Sequence, residues 1–99
     1  MGPSLYDAWY FVIGFLLANG VPHFVFGMSG KVFRSPFGQR SPPKINVAWG
    51  LANFLSATAI GLAMGYLEFY DAYSLALLLL GFWLMALNFG LSIRRFLND

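Results

Sequence analysis

Residues 72–93 read AYSLALLLLGFWLMALNFGLSI, an unbroken run without a charge. At about 1.5 Å per residue, a helix of this length crosses the ~30 Å hydrocarbon core of a bilayer. Two more such runs precede it. Residues 8–26 are neutral when His23 is neutral, and residues 45–67 carry no charge. Each run is apolar on all sides, as bilayer helices are. Composition agrees: hydrophobic residues make up 59% of the 99 positions and charged ones 10%, where a soluble domain carries about 25% charge. An ordinary soluble domain, a disordered chain and a disulfide scaffold are excluded. The expected fold is all-α: a single integral membrane domain, a three-helix transmembrane bundle. Its spans are expected at about 8–27, 45–67 and 72–94, with a loop over 28–44.

The connectors differ. The loop is rich in Gly, Ser and Pro and holds Lys31, Arg34, Arg40 and Lys44. The second connector is tight and acidic, with Glu68 and Asp71, so spans two and three are expected to form an antiparallel hairpin. Arg94 and Arg95 follow span three. All six basic residues fall on one side of a three-span topology, Asp7, Glu68 and Asp71 fall on the other, and only Asp99 breaks the split. The positive-inside rule then places the loop and the C-terminus in the cytoplasm and the N-terminus outside. Tyr and Trp residues near the span ends suit the two interfaces. Met1-Gly2-Pro3-Ser4 lacks a basic leader and no cleavage signal follows, so neither a signal peptide nor myristoylation is expected. Ser41 with Pro42 is a helix-start signal for span two, with Asn46 as an alternative cap. Pro22 is expected to kink span one or end it early.

The polar residues inside the spans define the candidate site. Counted from the cytoplasmic edge, Asn19, Asn53 and Asn88 fall in one layer roughly 10 Å deep. His23 and Ser92 lie one turn nearer the edge. A side-chain amide facing lipid is costly, so these groups are expected to point inward and pair. That cluster reads either as structural glue between helices or as a polar vestibule beneath the 28–44 loop. Small residues mark expected packing faces: Gly14 and Ala18 in span one, Ala57, Gly61 and Gly65 in span two, and Gly81, Ala86 and Gly90 in span three.

The absence of cysteine excludes disulfides, thiolate metal sites and cysteine nucleophiles. One His without Cys cannot build a zinc site, so no metal and no cofactor is expected. A haem or chlorin taking His23 as its single axial ligand is the one exception the residues allow. No nucleophile elbow and no phosphate-binding loop is present. The net charge of +2 is not a nucleic-acid signal.

Asn19-Gly-Val-Pro-His-Phe-Val-Phe-Gly27, Phe33-Arg-Ser-Pro-Phe-Gly38, Ser41-Pro-Pro, Asn46-Val-Ala-Trp-Gly50 and Asn53-Phe54 form a connected pattern. It resembles that of small bacterial inner-membrane proteins of unknown function, which implies an inner-membrane location and no particular activity. The segment Gly20-Val-Pro-His-Phe24 also resembles the end of a span in four-span DoxX-like proteins. Phe33 and Phe37, in a loop that should otherwise be polar, suggest that the loop folds back on the bundle or dips into the headgroups.

Three functions compete. The first is a non-enzymatic membrane protein acting by helix–helix association, with itself or as an accessory subunit of a larger complex. The second is a channel or transporter for ions or small solutes, built from several copies. The third is an enzymatic or cofactor-binding membrane subunit using His23. The lipid bilayer is the expected common partner.

Overall fold

The structure, a computed structural model, describes residues 7–64 and 72–97. The described chain is helical, with one small hairpin. Its elements are α1 Asp7–Met28, β1 Phe33–Ser35, β2 Gly38–Ser41, α2 Pro43–Ala63 and α3 Ala72–Leu97. All three helices are long and apolar enough to cross a membrane, over Ala8–Met28, Pro43–Ala63 and Ser74–Phe96.

The helices form a layer centred on α1. Both α2 and α3 pack along α1, whereas α2 and α3 scarcely meet among the described residues. The expected side-by-side pairing of spans two and three is therefore corrected: they run in opposite directions on two flanks of α1. The reason lies in paired glycines. A Cβ on Gly14 would overlap the Leu78 carbonyl, and one on Gly81 would overlap the Phe11 carbonyl, so α1 and α3 cross backbone to backbone. On the other flank, a Cβ on Gly50 would lie 2.9 Å from the Gly20 carbonyl oxygen, and one on Gly20 3.0 Å from that of Gly50. Between these seams Tyr10, Ile13 and Ala57 form the buried core.

The other expected packing residues divide. Ala18 and Gly61 are buried, and Gly65 lies outside the described residues. Ala86 and Gly90 make no packing contact within the described chain: both are exposed on α3, and a Cβ on Gly90 would meet nothing within 4 Å. They share the outer side of α3 with Leu91, which is 80% exposed.

Pro22 lies inside α1, so of the two expected effects the early end does not occur. The helix runs to Met28 and closes with a paired terminal bond. The Lys31 N–H reaches the Phe26 carbonyl at 3.0 Å and the Gly30 N–H reaches the Gly27 carbonyl at 3.0 Å. This closure requires a left-handed residue, and Gly30 has φ of 78°. Gly30→Ala should lower stability by about 1 kcal/mol through that φ alone. Gly90→Ala, in open space, should leave the detergent melting temperature unchanged and serves as the reference.

The 28–44 loop contains a hairpin that the sequence reading did not include. Phe33 pairs with Ser41 and Ser35 with Gly38, antiparallel, with an irregularity between the pairs and Pro36-Phe37 at the turn. The start of α2 also differs from expectation. Its N-cap is Pro42, with no side-chain cap, and Pro43 begins the helix. The Ser41 hydroxyl is used within the hairpin, where it donates to the Gly38 carbonyl at 2.9 Å.

Candidate binding cleft at the hairpin end

Asn46 fastens the hairpin to two helices. It stands one turn into α2 and is completely buried. Its Nδ2 donates to the Phe33 carbonyl at 2.8 Å and to the Ser41 carbonyl at 3.2 Å. Two carbonyls on the nitrogen side fix the amide's orientation, so Oδ1 faces His23. His23 Nδ1 lies 2.8 Å from that oxygen and must be the donor. In the neutral imidazole Nε2 is then an acceptor, without a hydrogen-bond partner among the described residues. The partner of His23 is thus a side chain of a neighbouring helix, α2.

Phe33 is the hairpin's plug, with no exposed surface. Its ring stacks on Phe26 at 4.9 Å and on Phe96 at 5.3 Å between centroids. The His23 ring meets Phe33 edge-on at 5.1 Å and Phe89 edge-on at 5.7 Å. Edge-to-face contact sets the positive ring edge against the negative face. Two helices, α1 and α3, and the hairpin thus meet in one aromatic nest. Phe37 stays on the surface and touches Trp49 edge-on at 5.4 Å.

One layer deeper, Asn19 Nδ2 donates to Asn53 Oδ1 at 2.9 Å. Asn53 Nδ2 donates to the Trp49 carbonyl at 2.9 Å. Asn88 does not join, which corrects the expected three-amide pairing. It is exposed on α3, and its Nδ2 reaches only the Met85 sulfur, at 3.6 Å. With α1 between α2 and α3, Asn19 turns to α2 and is lost to α3.

Because α2 and α3 stay apart, a cleft of about 370 Å³ opens at the hairpin end. Asn19 and His23 belong to α1's part of its lining, Trp49 to that of α2, and Asn88, Ser92 and Arg95 to that of α3. Arg34 and Ser35 of the hairpin complete it. The Trp49 indole N–H is buried with no acceptor. Among the described residues, no acidic side chain lines the cleft. Lys31, Arg34, Arg40, Lys44, Arg94 and Arg95 are all exposed at this end. Arg34 lies over the Phe96 ring at 5.9 Å and Lys31 over the Phe26 ring at 5.7 Å.

Among the described residues, no three His, Cys, Asp or Glu side chains gather as a metal group. The cleft offers hydrogen-bond donors, two cations and one imidazole nitrogen, an inventory suited to binding. Asn46 and the Gly20–Gly50 approach went unread as site and packing features. The signal available for Asn46 was its place in the connected pattern that also holds His23 and Phe33. No family model, curated protein or solved structure matches the chain.

Proposed function

We propose that the chain is a non-enzymatic integral membrane protein that acts by association through α3, with a second copy or within a larger membrane complex. The observation that carries this is Asn88. It lies six residues before Arg94, about 9 Å into the apolar span, with only a weak sulfur contact. It is exposed at the edge of the cleft, and an amide at that depth is costly without a partner. It stands on a helix whose main neighbour is α1. In this reading the hairpin end, with its six cations, faces the cytoplasm of a bacterial inner membrane.

The chain has no cysteine, so single substitutions report cleanly. Leu91→Cys, on the exposed side of α3, should form a disulfide adduct on oxidation of native membranes, with itself or with one defined partner. Leu55→Cys, exposed on α2, should not. Equal adducts at both positions, or none at Leu91→Cys, would sink the association reading. Orientation has its own check. Gln39→Cys should resist an impermeant thiol reagent in intact cells and react after permeabilisation. Ser4→Cys should react at once.

A further inference from the structure

We propose that the cleft at the hairpin end is a binding site for a phosphate group. The argument starts from charge. No Asp or Glu occurs between residues 8 and 67 or between residues 72 and 98. Two arginines, Arg34 and Arg95, line the cleft from separate elements, the hairpin and α3. Arg34 is set over the Phe96 ring at 5.9 Å, which holds its planar fork beside the cleft. Arginine pairs on separate elements suit an anion with several oxygens, because each fork can bond two of them.

The uncharged groups point the same way. The Trp49 N–H is a buried donor without an acceptor among the described residues, on a residue of the cleft wall, and a ligand in the cleft meets it by a small turn of the ring. The Ser92 hydroxyl lines the cleft with no hydrogen bond among the described residues. The Ser35 hydroxyl, by contrast, is engaged: it accepts from the Phe37 N–H at 3.1 Å and donates to Ser41, whose own proton goes to Gly38. Spare donors and two cations suit a ligand that accepts hydrogen bonds and carries negative charge, and the His23 Nε2 acceptor can take the one proton a phosphate group keeps. A volume of about 370 Å³ lies at the small end of ligand pockets, roughly 300–1,000 Å³. That admits a phosphate ester but not an extended cofactor.

Two sources present this chemistry: the headgroup phosphate of an anionic lipid, and phosphate or a phosphate ester from solution. The site does not rest on association through α3, since a monomeric chain keeps every residue named.

The test uses the full chain and its melting temperature. In phosphatidylcholine bilayers, adding phosphatidic acid should raise the melting temperature. In detergent, sodium phosphate at constant ionic strength is the second arm. Stabilisation by phosphatidic acid alone assigns a lipid headgroup, and equal stabilisation by phosphate assigns a soluble ligand. Arg34→Gln and Arg95→Gln should each weaken the effective ligand about tenfold. Both side chains are exposed, so the variants should fold. Arg40→Gln and Lys44→Gln, at the same end but outside the cleft, should bind as the parent does. Trp49→Phe keeps a ring and removes the donor, and should bind several-fold more weakly. The proposal is overturned if neither probe stabilises the chain. It is equally overturned if the Arg40 and Lys44 variants lose as much as the Arg34 and Arg95 variants, since that is the mark of diffuse surface charge.

Discussion

Asn46→Leu should release the hairpin and destabilise the chain by about 3 kcal/mol or more. The substitution removes one side chain and strands three buried groups: the His23 Nδ1–H and the carbonyls of Phe33 and Ser41. Each such group left unpaired costs about 1–3 kcal/mol. No neighbouring side chain is placed to replace a donor and an acceptor together. The readout is local as well as global. Lys31, Arg34 and Arg40 flank or lie within the hairpin, and trypsin should cut there many times faster in the variant. Asn46→Asp separates the two halves of the role. It keeps an acceptor for His23 and loses the donor to both carbonyls, so the hairpin should still loosen while His23 stays in place. Unchanged protection in Asn46→Leu would remove Asn46 from the centre of the assembly.

Gly14→Leu should detach α3, at a cost toward the upper end of the 1–3 kcal/mol typical of overpacking. The obstacle is backbone, which cannot repack: even a Cβ at Gly14 would overlap the Leu78 carbonyl. Gly81 meets the Phe11 carbonyl in the same crossing. Because α3 has so little contact with α2 among the described residues, only the aromatic nest at the hairpin end still holds it once this seam opens. Gly14→Ala and Gly81→Ala should each lower the melting temperature, and together by less than their sum. Opening the crossing for one admits the other. Gly90→Leu should be close to silent in the isolated chain. A double variant that loses the full sum would mean that the two glycines act at separate contacts.

What the sequence made legible was what depends on position along the helix axis. Three uncharged runs gave three helices, and depth counting brought Asn19 level with Asn53. What it concealed was rotation about that axis. In a soluble helix the polar face marks the outside, but a helix apolar on all sides carries no such mark. Asn88 therefore shared a level with the other amides and yet bonds neither, facing Asn19 only across the cleft. Ala86 and Gly90 had packing spacing and an exposed position. The hairpin was hidden for another reason: strands of three and four residues broken by Pro36 and Gly38 have no periodicity to read. Asn46 resembled a helix-start residue because it lies near a helix start. Its actual role depends on Phe33 and His23, thirteen and twenty-three residues away, contacts that no local pattern encodes.

The aromatic nest also sets an order of assembly. Chains fold from the N-terminal side as they are made. His23, Phe26 and Phe33 emerge early, and with α2 they already hold the Asn46 bonds that anchor the hairpin. Phe89 and Phe96 leave the ribosome near the end of synthesis, and until then the Phe33 ring lacks the stacking partner it finds in Phe96. The last turns of α3 are thus the closing piece of a half-built cavity. A nascent chain stopped short of them displays an uncovered aromatic surface, by which an unfinished product differs from a finished one.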